Sequence, residues 1–159
     1  MEDIDMGMDV SGNQPTAEVG EYFRNNVWWW HPLWEYVLHV VPWVGDKVPH
    51  GHYNDGQGLD ADGCAALAVA LTGELESGAT TRYEVDYMSG LNAMPDEECD
   101  LCNGTGTRKN CGDMGWCNGC NGCEGRGKVR PSATWYPFSA ENVARFRDFV
   151  AACGGFEIW

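Results

Sequence analysis

Two short elements constrain this chain more than anything else in it. Cys99-Asp-Leu-Cys102-Asn-Gly104-Thr-Gly106 and Cys120-Asn-Gly-Cys123-Glu-Gly125-Arg-Gly127 both read C-x-x-C-x-G-x-G. Two thiolates separated by two residues reach one metal ion from a tight turn. The glycines let the backbone fold back and aim N–H groups at the sulfurs. Two such knuckles complete a tetrahedral zinc site, and the 17 residues between Cys102 and Cys120 suit paired knuckles. The expected ligands are Cys99, Cys102, Cys120 and Cys123, holding one structural zinc. A catalytic zinc keeps a coordination position open, and four cysteines close it, so no enzyme is expected.

The chain has eight cysteines, so four remain to be placed. Cys117-Asn-Gly-Cys120 is also a C-x-x-C, but the glycine pair after Cys123 assigns Cys120 to the second knuckle. Cys111 and Cys117 keep three readings: spare thiols, a labile disulfide, or part of a second metal site with a histidine from elsewhere. Cys64 and Cys153 fall within or at the end of expected helices and read as small buried hydrophobes.

The repeated element resembles the cysteine-rich zinc domain of DnaJ-type co-chaperones, which carries four such repeats and holds each zinc with two of them. The resemblance covers residues 99–127 and implies a half-module with one zinc. The J-domain is absent, since His31-Pro32 is followed by Leu33 rather than Asp. Stimulation of a chaperone ATPase is therefore not implied. The remainder, with its Trp-rich start and its Tyr136-Pro-Phe-Ser-Ala-Glu-Asn-Val143 segment, resembles small actinobacterial and phage proteins without a known function.

Around the cysteines the expected fold is mainly α, a small domain of about four helices over 21–98 and 131–159 with the zinc module 99–130 inserted. Pro32 suits a first helical turn, and Trp34, Val37, Leu38 and Val41 continue the spacing, predicting a helix over 31–41. Asp60 offers an N-cap and Gly78 a stop for a helix over 61–77. Thr81 and Glu84 have capping-box spacing ahead of a helix over 82–93. Ser139 and Gly154 bracket a helix over 140–152, after which Phe156, Ile158 and Trp159 are expected to dock on the core. Residues 1–20 carry five acids, no Lys or Arg and no periodicity, and read as a disordered acidic tail.

The 159 residues carry 24 acids against 10 bases, a formal charge of −14. That balance argues against broad, charge-driven binding to nucleic acid. Five of the bases, Arg108, Lys109, Arg126, Lys128 and Arg130, lie within the zinc module and offset a negative tetrathiolate centre or meet an anionic partner. No segment has the roughly 20 apolar residues of a membrane span, and the first 20 residues lack the regions of a signal peptide. A cytoplasmic setting with reduced thiols is expected.

Trp28, Trp29 and Trp30 cannot all face one core, because helical neighbours lie about 100° apart. At least one indole should reach an edge or an interface, with a protein partner or a second copy of the chain as its contact. His50-Gly-His52 reads as a polar loop, and the Asp60–Gly63 stretch fails the calcium-loop pattern. The leading expectation is a non-enzymatic zinc-stabilised adaptor, its partner contacts drawn from Trp28, Trp29, Trp30, Arg108, Lys109, Arg126 and Lys128. A nucleic-acid-associated regulator using the basic module, and a thiol–disulfide-active protein, are the alternatives.

Overall fold

The computed structural model describes residues 7–108 and 119–159. In chain order it contains β1 (Gly7–Gly12), β2 (Tyr22–Asn26), α1 (Val27–Val40), α2 (Trp43–Lys47), β3 (Gly58–Leu59) and α3 (Ala61–Glu76). There follow α4 (Ala79–Ala93), β4 (Glu97–Glu98), β5 (Lys128–Val129), α5 (Ala140–Ala152) and β6 (Phe156–Ile158). The chain divides into two compact units, Met1–Met88 with Tyr136–Trp159, and Ser89–Trp135.

The first unit is mixed α/β, not mainly α. It holds an antiparallel sheet of order β2-β1-β6-β3. β1 lies inside that sheet, paired with β2 through Val10↔Phe23 and with β6 through Val10↔Ile158. This corrects the acidic tail. Met8 and Val10 alternate into the core, while Asp9 lies on the other face and pairs with Arg24 and the Tyr22 hydroxyl. Acid count misled because a strand needs apolar residues on one face only. The chain beyond β1 is also tied down. The N–H groups of Asn13, Gln14 and Thr16 donate to the carbonyls of Gly155, Cys153 and Ala152 at 2.8–3.1 Å. Residues 1–6 lie outside the described residues.

α1 starts at Val27, four residues before the expected position. The Asn26 side chain caps it, accepting from the Trp29 N–H at 3.2 Å. Pro32 sits in the second turn, where it withholds one ladder bond from the Trp28 carbonyl. The stripe Trp30, Leu33, Trp34 and Val37, each at most 1 % exposed, carries the helix past that loss.

α3 and α5 match the caps read from the sequence. Asp60 accepts from the Gly63 N–H at 2.8 Å, and Ser139 from the Asn142 N–H at 3.4 Å. Beyond α3, Gly78 takes a φ of +73°, the left-handed stop. α4 instead begins at Ala79, so Thr81 is interior and no capping box forms. The Glu84 carboxylate reaches across to α5 and accepts from the Ala140 N–H at 2.9 Å. The core gathers Trp30, Trp34, Tyr36, Phe146, Phe149 and Phe156, all fully buried. β6 docks there with Phe156 and Ile158 buried, as the apolar end predicts.

Candidate metal centre

In the second unit, β4 and β5 pair antiparallel, Glu97 opposite Val129 and Glu98 opposite Lys128. That short ladder sets the two knuckles side by side. Their backbones repeat the same bonds. Gly104 N–H donates to Cys99 O at 3.2 Å and Thr105 N–H to Cys102 O at 3.1 Å. Gly125 N–H donates to Cys120 O at 3.0 Å and Arg126 N–H to Cys123 O at 2.9 Å. The knuckles then grip each other reciprocally, Cys99 N–H to Gly127 O at 2.9 Å and Cys120 N–H to Gly106 O at 2.7 Å.

The glycines are demanded by this contact. Gly106 and Gly127 both have φ of +74°, and a β-carbon there would stand 2.4 Å and 2.3 Å from the carbonyl oxygens of Gly125 and Gly104. Their N–H groups donate to sulfur, Gly106 to Cys102 Sγ at 3.2 Å and Gly127 to Cys123 Sγ at 3.1 Å.

The outcome is a four-sulfur cage. The Sγ atoms of Cys99, Cys102, Cys120 and Cys123 all lie within 4.8 Å of one another, and the residues are 1–6 % exposed. Cys99 and Cys120 sulfurs are 3.8 Å apart, Cys102 and Cys123 sulfurs 3.7 Å. Those separations are far from a disulfide length of about 2.05 Å. They agree with the edge of about 3.8 Å that a tetrahedron with metal–sulfur bonds of about 2.3 Å requires. Among the described residues these four are the metal-competent cluster, and Val129 is the hydrophobic residue packed against it.

Two of the four thiols are shifted in opposite directions. Burial pushes the Cys99 thiol up to about 11. At Cys120 burial also pushes upward, but the N–H groups of Gly122 and Cys123 and the neighbouring thiols outweigh it and bring the group down to about 7. One thiol therefore stands close to ionisation at neutral pH, and a metal ion would stabilise the others as thiolates.

The remaining expected site residues scatter. Trp30 is fully buried, stacked on Trp34 with ring centroids 5.4 Å apart, so it is core and not a contact residue. Trp28 is half-buried, edge-on to Tyr136 at 5.0 Å. Trp29 is 39 % exposed and borders a cleft of about 220 Å³ with Asn25, Ser139, Asn142 and Arg145. Arg126 is anchored through Nε to the Cys123 carbonyl at 3.2 Å and pairs with Glu124. Lys128 stands on β5 opposite Glu98, and Arg108 is exposed. Arg130 donates to the carbonyls of Leu91 and Met94 at the end of α4 and pairs with Asp96, which gives it a capping role. Lys109, Cys111 and Cys117 lie outside the described residues. Cys64 and Cys153 are buried as expected, and a shared thiol hydrogen bond pushes Cys64 up and Cys153 down.

Sequence reasoning missed a histidine group on the first unit. His31 and His52 stack ring on ring, and His52 meets Glu35. The partners lie on different elements, so no local spacing announces them. No family model, curated protein or solved structure matches the chain. No helix among the described residues is long and apolar enough to cross a membrane.

Proposed function

We propose that this is a non-enzymatic zinc-binding adaptor. One Zn²⁺ held by Cys99, Cys102, Cys120 and Cys123 organises the second unit, and the Trp29 surface of the first unit meets a protein partner. The observation that carries the reading is the sulfur cage, its four Sγ atoms within 4.8 Å of one another, two of its edges at 3.7 and 3.8 Å, and amide N–H groups already turned toward two of its sulfurs. The zinc would act by holding the fold. Four thiolates fill a tetrahedral site, leaving no position for substrate or water. With four sulfurs and one half-buried valine as its local core, the knuckle pair has little apolar area to stabilise it otherwise.

Cobalt substitution tests the metal half of this reading. The full chain loaded with Co²⁺ should show the ligand-field and charge-transfer bands of a tetrahedral tetrathiolate. Cys102→Ser should lose that spectrum, and an octahedral cobalt spectrum in the unaltered chain would refute the assignment. Affinity capture comparing the unaltered chain with Trp29→Ala tests the partner half. A capture profile unchanged by Trp29→Ala would remove Trp29 from the contact.

A further inference from the structure

The loop between α2 and β3 is fastened onto α1 by an unusual pair. The rings of His31 on α1 and His52 on the loop lie 11° from parallel with centroids 4.5 Å apart. His52 Nε2 is 2.8 Å from Glu35 Oε1. A carboxylate only accepts, so Nε2 carries the proton. His52 Nδ1 is then a bare lone pair, buried and without a hydrogen-bond partner. Alongside, the same loop closes on two tryptophans. Trp30 Nε1–H donates to Gly51 O at 2.8 Å, and Gly51 lies so close to Trp34 that a β-carbon would stand 2.1 Å from its indole.

We propose that the His31–His52 stack is an acid-released latch, holding the loop over Trp30 and Trp34 at neutral pH and letting it open when the pair takes up protons. A proton on His52 Nδ1 would create a buried N–H without an acceptor, and would set a cation against the face of His31. A second proton would place two cations face to face. Separating the rings relieves both penalties. Among the described residues the titratable or charged groups around the pair are Glu35 from α1 and Tyr136, whose ring meets His31 edge-on. Glu35 holds one proton on His52 and has no reach to Nδ1. His50 and Asp55 on the loop pair with each other at 2.9 Å. Burial, then the neighbouring His52, hold His31 below its ordinary range against the opposing pull of the Glu35 carboxylate.

The far end of the loop is tied elsewhere. Gly56 N–H donates to Ile158 O, and Asn54 Nδ2–H donates to Gly7 O. Opening is therefore confined to the stretch carrying His50, Gly51 and His52, and its consequence is exposure of the stacked indoles. The latch is independent of the zinc reading.

Hydrogen exchange by NMR on the full zinc-loaded chain tests it. Between pH 7.5 and 5.5, protection of the Trp30 indole N–H and the Gly51 amide should fall at least tenfold, while Val143 and Phe146 in α5 stay protected. His31→Gln should abolish that fall, and His50→Gln should retain it. His52→Gln provides a second removal of the stack should His31→Gln disturb α1. Constant protection in the unaltered chain would overturn the proposal. So would a fall that persists in His31→Gln and His52→Gln, or one shared equally by α5.

Discussion

Gly104 and Gly106 offer a graded test of the cage, because both take left-handed φ but only one is sterically enclosed. At Gly104 φ is +75°, and a β-carbon would make an ordinary contact of 3.4 Å with the Glu98 side chain. Gly104→Ala should therefore incur only the backbone penalty, about 1–2 kcal/mol, which is roughly 5- to 30-fold in zinc affinity. At Gly106 the same φ penalty applies, and the new methyl would stand 2.4 Å from the Gly125 carbonyl oxygen. Relief requires the knuckles to part, which stretches the two bonds between them, Cys120 N–H to Gly106 O and Cys99 N–H to Gly127 O. Each lost bond adds about 1 kcal/mol or more, so Gly106→Ala should weaken zinc binding by over 100-fold. Gly90, on α4 with open space around it, is the control, and Gly90→Ala should leave affinity unchanged. Competition against a chromophoric chelator measures all three. Equal losses at 104 and 106, or no loss at 106, would refute the interlocked-knuckle argument.

Further outcomes follow from the same geometry. Glu124 has a φ of +53° and only an exposed pairing with Arg126, so Glu124→Gly should slow zinc release by about 1 kcal/mol of relieved strain, read by stopped-flow chelation. Trp30→Ala should cost about 3–5 kcal/mol in urea unfolding, whereas Trp29→Ala should cost under about 1 kcal/mol. Zinc binding needs thiolates, so protons compete with the metal. Affinity should fall as pH is lowered, in part through Cys99, whose thiol burial pushes up to about 11, so that it must give up a proton to the solvent on binding zinc. Chelator competition across pH 6–8 would show this, and a flat profile would argue for ligands other than thiolates.

What was legible in the sequence is what local chemistry dictates. The cysteine knuckles announce themselves, because the sulfur spacing and the left-handed glycines lie within eight residues of each other. α3 and α5 announce themselves through Asp60 and Ser139, whose cap bonds close over three residues. The sheet is different. β1 and β6 lie near opposite ends of the chain, and each acquires its meaning only when Val10 meets Ile158. Glu84 has capping-box spacing to Thr81, but its partner is Ala140, 56 residues on. Arg130 shows the same limit. It counts as a cation in the sequence, and tertiary structure commits it to the carbonyls ending α4. The tryptophan run was half legible. Helical geometry requires its members to diverge, but only the packed core decides that Trp30 goes inside and Trp29 stays out.

The central claim is that four cysteine sulfurs surround one zinc ion. X-ray absorption at the zinc edge, on protein purified without added metal or chelator, tests it directly. The account predicts one zinc per chain with four sulfur neighbours at about 2.3 Å. A folded chain without metal, or a zinc shell containing nitrogen or oxygen, would contradict it.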